Sequence, residues 1–175
     1  MSVTKIEVEL NKQKEFIDIV KKHKGILYKV ITMYCADYND RKDLEQDILI
    51  QIWKSLDTYD DNYALTTWLY RISMNVAISN HRKTFKKKSN TTRINGDLLE
   101  FTSNSDVNER SYQQDVLYRL LNELNKFDKA LMFLYLEDKD YEVIADVLGI
   151  TKTNVATKIS RIKNKWKQQL SQQKQ

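Results

Sequence analysis

The stretch Tyr141-Glu-Val-Ile-Ala-Asp-Val-Leu-Gly149-Ile-Thr151-Lys-Thr-Asn-Val-Ala-Thr-Lys-Ile-Ser-Arg-Ile-Lys-Asn-Lys-Trp166 decides the fold of the C-terminal third of the chain. Gly149 is the residue type best able to take the left-handed conformation that ends a helix, and Thr151 is a favoured N-cap for the next one. The stretch therefore predicts a helix-turn-helix, in which Ala145 is small enough to let the two helices cross closely. Apolar residues recur at helical spacing on both sides of the glycine: Val143, Ile144, Val147 and Leu148 before it, and Val155, Ile159, Ile162, Trp166 and Leu170 after it.

The side of the second helix opposite its apolar seam carries amide, hydroxyl and basic side chains. Such donors suit phosphates and base edges in a major groove of DNA. The alternative is a basic helix that faces only solvent, but this alternative does not explain Ala145 or the turn at Gly149. The pattern therefore favours DNA binding by this helix. The outward-facing residues are Asn154, Thr157, Lys158, Arg161, Asn164 and Lys165.

The composition predicts that the remaining chain is also helical. The 175 residues include no proline and only three glycines, so a β-rich fold with many tight turns is hard to build. Helical patterns at 1–84 and 112–175 flank a segment, 85–111, that is rich in Ser, Thr, Asn and charge and has no sustained period. We predict an all-α protein of two small helical domains joined by a flexible linker at 85–111.

Three helices are predicted in the N-terminal domain. The first covers about residues 12–34, with a bend or break expected at Gly25, and the second starts at Asp43, because Asp43 and Gln46 have the spacing of a capping box. The third runs from about Leu65 to Lys83. Its predicted core stripe consists of Leu65, Trp68, Leu69, Ile72 and Val76.

A second cluster on the third helix falls away from that stripe: Thr67, Tyr70, Arg71, Met74 and Ile78. Packing of this face on the first helix is one interpretation. The other is contact with single-stranded nucleic acid, since bases stack on exposed aromatic rings beside basic side chains.

Catalytic and metal chemistry find no support in the sequence. Cys35 is the only cysteine, which excludes an internal disulfide and fits a reducing cytoplasm. His23 and His81 are far apart and have no cysteine companions, so neither a zinc site nor another cofactor is expected. No phosphate loop or nucleophile motif occurs. We expect a protein that is not an enzyme, located in the cytoplasm, because no stretch resembles a secretory signal or a membrane span.

Charge is strongly segregated along the chain, although its net value is only +5. Acids outnumber bases between 37 and 61, whereas the segments 79–95 and 150–175 contain basic residues and no acidic ones. This distribution indicates a polyanion bound at two places and a protein partner at a third.

The order of these features resembles that of bacterial sigma factors of the extracytoplasmic-function (ECF) type, in the sigma-70 family, over nearly the whole chain. Residues 43–49, Asp-Leu-Glu-Gln-Asp-Ile-Leu, are similar to the family motif that binds the β′ clamp helices of RNA polymerase. Residues 66–72, Thr-Thr-Trp-Leu-Tyr-Arg-Ile, resemble the segment that melts and reads the minus-ten element, and 59–63 resemble its base-capturing loop. Residues 141–165 resemble the reader of the minus-thirty-five element.

The resemblance implies three sets of contact residues. Those for polymerase are Asp43, Gln46, Asp47, Ile50 and Lys54. Those for the minus-ten element are Tyr59, Tyr63, Thr67, Tyr70, Arg71, Asn75, Arg82 and Lys83. Those for the minus-thirty-five element are Thr151, Lys152, Asn154, Thr157, Lys158, Arg161 and Lys165. Two departures from the family pattern are Leu49, where phenylalanine is usual, and Ala156, where lysine is common and would contact a phosphate.

The implied partners are core RNA polymerase, through its β′ clamp helices and β flap, promoter DNA, and an anti-sigma factor such as these proteins often have. The implied function is that of an alternative sigma factor that directs promoter recognition, DNA melting and initiation, without membrane insertion and associated with the nucleoid when engaged. The alternative is a helix-turn-helix regulator that acts without core polymerase. That alternative explains the C-terminal third but neither the tryptophan-bearing third helix nor the acidic second helix.

Overall fold

A computed structural model describes residues 3–84 and 112–172 of the chain. Within these ranges every regular element is helical, which confirms the all-α prediction. The elements are α1 (Val3–Tyr34), α2 (Tyr38–Ser55), a short 3₁₀ turn (Leu56–Thr58), α3 (Leu65–Thr84), α4 (Tyr112–Asn122), α5 (Lys126–Leu136), α6 (Tyr141–Leu148) and α7 (Lys152–Gln172).

The described helices divide into two compact units, α1 to α3 and α4 to α7, as predicted. The linker proposed at 85–111 lies outside the described residues. None of the helices within 3–84 and 112–172 has the combined length and apolar character that crossing a membrane requires.

The first unit is built around α3, which packs against both α1 and α2. Val30 of α1, Ile48 and Ile52 of α2, and Leu69 and Met74 of α3 are all fully buried. Burial of such side chains contributes about 1.5–3 kcal/mol each. Because α3 is covered on two sides, it buries more of its circumference than a single apolar stripe would require.

The start of α2 differs from the prediction. The helix begins at Tyr38, and the Asp37 carboxylate caps it by accepting hydrogen bonds from the backbone N–H groups of Asn39 and Asp40, at 2.8 and 3.2 Å. The predicted capping box at Asp43 and Gln46 is therefore wrong, since both residues lie inside the helix with exposed side chains. A first capping aspartate, six residues earlier, already satisfies the free amides.

Arg41 connects the first turns of α2 to the residues that follow α1. Its buried guanidinium donates to the backbone carbonyls of Cys35 and Ala36, through Nε at 2.9 Å and Nη2 at 2.8 Å. Those carbonyls follow directly after α1, where helix geometry leaves acceptors without intrahelical donors. Arg41 thus fixes the connection between the two helices.

The first helix is longer than predicted and bends at a different residue. It begins at Val3 rather than near residue 12, and its non-helical backbone angles occur at His23 (φ −113°, ψ 17°). Gly25, two residues later, lies in the helix with open space around its α-carbon.

The second unit confirms the predicted helix-turn-helix. Gly149 takes the left-handed conformation (φ 67°, ψ 36°) and donates its N–H to the Ala145 carbonyl, which ends α6. Thr151 then caps α7, since its hydroxyl oxygen accepts from the Asn154 N–H at 3.2 Å. The predicted seam residues Val155, Ile159, Ile162 and Trp166 are all buried. Leu170, the last residue of the predicted seam, is instead 38% exposed, near the end of α7.

Candidate nucleic-acid interface

The face of α7 opposite the buried seam is polar and open to solvent. The exposed residues on this face are Asn154, Thr157, Arg161 and Lys165, whereas Val155 and Ile162 are buried on another side of the helix. Because the seam holds α7 against the rest of the unit, these side chains project from a fixed support. Their amide, hydroxyl and cationic groups match what a major groove presents at base edges and phosphates.

Lys158 differs from the other predicted groove residues. Its ammonium group lies 3.0 Å from the Asp128 carboxylate and 5.3 Å from the centre of the Phe127 ring, both in the first turn of α5. Asp128 is itself held by Asn125, whose side-chain amide donates to the second carboxylate oxygen at 2.7 Å. In the free protein Lys158 therefore connects α7 to α5, and its charge is already balanced.

A second ion pair connects the two helices of the motif at their outer surface. Lys152, the first residue of α7, donates to the carboxylate of Glu142 in the first turn of α6. This hydrogen bond is the main reason why the pKa of Glu142 is lowered from its ordinary value. Thr151, also expected to contact DNA, is exposed while its hydroxyl oxygen serves as the cap.

The loop that precedes α3 gives its two tyrosines different roles. The Tyr59 ring is tilted against Trp68 of α3, with centroids 5.0 Å apart, and its hydroxyl donates to the backbone carbonyl of Tyr63 at 2.7 Å. Tyr63 is 53% exposed. Tyr59 therefore holds the loop in shape, whereas Tyr63 presents an aromatic face to solvent.

Acidic residues in the same loop support this arrangement. Burial of the Tyr59 ring, followed by the nearby Asp61 and Asp60 carboxylates, raises the pKa of Tyr59, whose protonated hydroxyl donates to the Tyr63 carbonyl. Asp60 also closes the turn, because one of its carboxylate oxygens accepts from both the backbone and side-chain nitrogens of Asn62.

Tyr70 and Met74 do not lie on an exposed face of α3, so packing, the first of the two interpretations of this cluster, holds for both residues. Tyr70 is only 3% exposed and Met74 is fully buried, because α1 and α2 cover α3 from two directions. Tyr70 cannot stack on a base in this conformation. Thr67 and Arg71 are half-buried, and Asn75 is exposed. The side chains of Arg82 and Lys83 lie outside the described part of the chain.

The five residues expected to contact polymerase lie on one exposed face of α2. They are Asp43, Gln46, Asp47, Ile50 and Lys54. Ile50 is 51% exposed and lies at the centre of this face, while Leu44, Ile48 and Ile52 are buried on the other side of the helix. An exposed isoleucine ringed by charged groups is suited to a protein partner.

A cluster that joins α1 to the loop was not foreseen from the sequence. The Lys12 ammonium lies 2.5 Å from the Asp57 carboxylate and 4.7 Å from the centre of the Trp53 ring, and Phe16 meets the same ring edge-on at 5.4 Å. Asp57 belongs to the 3₁₀ turn just before Tyr59. The cluster therefore fixes the start of the loop at residues 59–63, called the tyrosine loop below. It could not be predicted from sequence patterns, because Lys12 and Asp57 are 45 residues apart.

Comparison with known proteins relates both units to one family. A family model described as sigma-70 region 2 matches residues 19–86, which include α2, the tyrosine loop and α3. A model described as sigma-70, region 4 matches residues 114–165, which include the helix-turn-helix.

Several curated proteins are similar along most of the chain. The ECF RNA polymerase sigma factor SigW of Bacillus subtilis is 22% identical, over 94% of this chain and 93% of its own length. RNA polymerase sigma factor SigV of the same species is 26% identical over 83% of this chain and 84% of its own. The ECF RNA polymerase sigma-E factor of Haemophilus influenzae is 27% identical over 88% of this chain and 86% of its own length.

Two solved structures share the fold. The sigma factor RpoE of Bartonella quintana, solved with the anti-sigma factor NepR, matches with a TM-score of 0.64 at 20% identity and covers 91% of this chain and 96% of its own. CnrH, solved with the cytosolic domain of CnrY, matches with a TM-score of 0.62 at 19% identity, over 91% of this chain and 89% of its own.

Proposed function

The chain belongs to the extracytoplasmic-function group of the sigma-70 family, and from this premise we propose which residues carry each step of its work. It is an alternative sigma factor that directs promoter recognition with RNA polymerase. The observation that carries this function is the presence of both regions in one chain, in family order, each on its own folded unit. A regulator that acts without polymerase would have no use for the first unit.

The α2 face of Asp43, Gln46, Asp47, Ile50 and Lys54 binds the β′ clamp helices of core polymerase. Exposure of all five residues supports this assignment, as does the combination of a central apolar side chain with charges of both signs. The second unit contacts the β flap.

The tyrosine loop binds the minus-ten element after strand separation. Tyr63 stacks on an extruded base, and Tyr59 holds the loop through its contacts with Trp68 and the Tyr63 carbonyl. Thr67, Arg71 and Asn75 on α3, with Arg82 and Lys83 further along the chain, contact the backbone of the separated strand.

The α7 face binds duplex DNA at the minus-thirty-five element. Asn154, Thr157, Arg161 and Lys165 reach into the major groove from the support of the buried seam, while Thr151 and Lys152 lie at the helix start, near the phosphates. An anti-sigma factor regulates the protein by covering one of these surfaces. The protein acts in the cytoplasm, associates with the nucleoid when engaged, and has no catalytic activity of its own.

Reconstitution tests this function. The full chain is mixed with bacterial core RNA polymerase, passed through gel filtration, and assayed for transcription on promoters selected from a randomised duplex library. We expect stable co-elution and initiation at a defined site. Sequence-specific DNA binding without co-elution would contradict the sigma-factor function.

A further inference from the structure

The first half of α1 leaves a row of large apolar side chains in solvent. Ile6 is 55% exposed, Leu10 57% and Ile17 38%. Single exposed apolar residues are ordinary on protein surfaces, but three along one side of a helix form a patch of the kind that marks an interface. This row does not belong to the surfaces assigned above to polymerase or DNA.

The spacing of the row is that of a coiled-coil seam. With Gln13 and the half-buried Val20, the positions 6, 10, 13, 17 and 20 advance by alternating steps of four and three residues. Such spacing keeps the side chains on a straight line facing a second helix. The residues with which α1 contacts its own unit, among them Lys12 and Phe16, lie to one side of this line.

We propose that this seam pairs, antiparallel, with the same seam of a second copy of the chain. With the two-fold axis between Leu10 and Gln13, Ile6 packs against Ile17 of the second copy, and Leu10 packs against Gln13 of the second copy.

The charges beside the seam complement each other in this arrangement. Exposed Glu7 lies next to exposed Lys14 of the second copy, and the symmetry repeats the pair, so each dimer contains two. A parallel arrangement would instead pair Glu9 with Lys14. It would also place the first units of both copies at the same end of the seam, because α1 buries Leu27, Val30 and Ile31 in its own unit beyond the C-terminal end of the seam.

The size of the seam sets the strength of the dimer. From Ile6 to Val20 it is roughly 21 Å long at about 1.5 Å per residue. An interface of this length is at the small end for specific association, so we expect a dissociation constant of roughly 1–100 µM. The dimer is therefore a property of the free protein at high local concentration.

Sedimentation equilibrium of the full chain tests the seam, from about 1 to 200 µM, a range that brackets the affinity expected of a small interface. Leu10→Lys should lower the association constant at least about tenfold, because it places a charge in an apolar seam. Val8→Lys is the matched control: Val8 is 65% exposed on the opposite side of the same helix, and its replacement should leave the association constant unchanged. Circular dichroism checks that both variants remain folded.

Charge reversal tests the direction of pairing. Glu7→Lys or Lys14→Glu alone should lower the association constant about tenfold or more, because two attractive ion pairs become two repulsive ones. The double variant Glu7→Lys/Lys14→Glu should restore it.

Three results would overturn the proposal: a monomer at every concentration, a dimer that is insensitive to Leu10→Lys, or rescue by Glu9→Lys/Lys14→Glu instead. Transcription with core polymerase is measured in parallel. Leu10→Lys should keep that activity, so a failure of the dimer is distinguished from a failure of the proposed function.

Discussion

The ammonium group of Lys158 lies 3.0 Å from the carboxylate of Asp128, so one basic residue of α7 holds that helix to α5. The pair is partly exposed, with side-chain exposures of 38% and 20%, and its direct contribution to stability is therefore modest, about 0.2–1 kcal/mol. Its larger consequence concerns DNA binding, because a lysine whose charge is already balanced contributes less to phosphate neutralisation than a lysine open to solvent.

Arg161→Ala should weaken binding to minus-thirty-five duplex more than Lys158→Ala does. Arg161 is exposed on the outward face of α7, and loss of one phosphate contact reduces the slope of log affinity against log salt by about 0.9. Fluorescence anisotropy across a salt series measures this slope. Lys167→Ala, an exposed lysine on another side of α7, is the control and should change neither affinity nor slope.

Asp128→Asn should have the opposite effect. It keeps an oxygen acceptor for Asn125 but releases the charge of Lys158, so non-specific DNA affinity and the salt slope should both increase. The same substitution in a Lys158→Ala background should increase them less, because it removes one negative charge but frees no lysine to contact a phosphate. Equal slopes for all these variants would show that Lys158 and Arg161 do not face the phosphates.

Two glycine substitutions should change stability in opposite directions. Gly149→Ala meets no neighbouring atom within 4 Å but must keep a φ of +67°, which costs a residue with a β-carbon about 1–2 kcal/mol. Gly25→Ala also enters open space, but in a helix, where alanine is favoured by about 0.5–1 kcal/mol. Hydrogen exchange measures the protection of backbone amides in each unit separately. Protection should fall in α6 and α7 for Gly149→Ala and rise in α1 for Gly25→Ala.

Asp47→Arg should impair association with core polymerase without unfolding the first unit. Asp47 is exposed on the α2 face that contains Ile50, and substitutions at surface sites usually change stability by no more than about 0.5 kcal/mol. Glu45→Arg is the control, since Glu45 is exposed about 160° around the same helix. Co-elution that is equally normal for both variants would contradict the assignment of this face to polymerase.

Features governed by neighbouring residues could be predicted from the sequence. The turn at Gly149, the Thr151 cap and the Val155 to Trp166 seam each depend on a few residues close in the chain, and all are present as predicted. The start of α2 could not be decided in this way, because Asp37 and Asp43 are both acceptable caps. The tertiary hydrogen bonds from Arg41 to the end of α1 accompany the earlier start.

Exposure was the harder property to predict. Periodicity identified a second cluster on α3 but could not reveal that α1 and α2 together cover Tyr70 and Met74. Likewise, the position of Lys158 on α7 predicted an outward lysine, whereas its partner Asp128 is thirty residues away in sequence. In each case the deciding contact comes from another helix, which a single helical projection does not contain.

Tyr63→Ala should slow promoter opening while leaving polymerase binding, closed-complex formation and protein stability nearly unchanged. Tyr63 is 53% exposed and outside the ring contact between Tyr59 and Trp68, so its truncation should remove a stacking contact of about 1–3 kcal/mol with an extruded base and little else. Permanganate footprinting of unpaired thymines measures opening, and a promoter already melted across the minus-ten region should recover part of the lost activity.

Tyr70→Ala is the contrasting variant. Because Tyr70 is buried beneath α1 and α2, its truncation should instead destabilise the first unit by about 3–5 kcal/mol, which urea unfolding would detect. If Tyr63→Ala opened duplex promoters at the parental rate, the extruded base would have to be held by another residue, and the role assigned to this loop would be wrong.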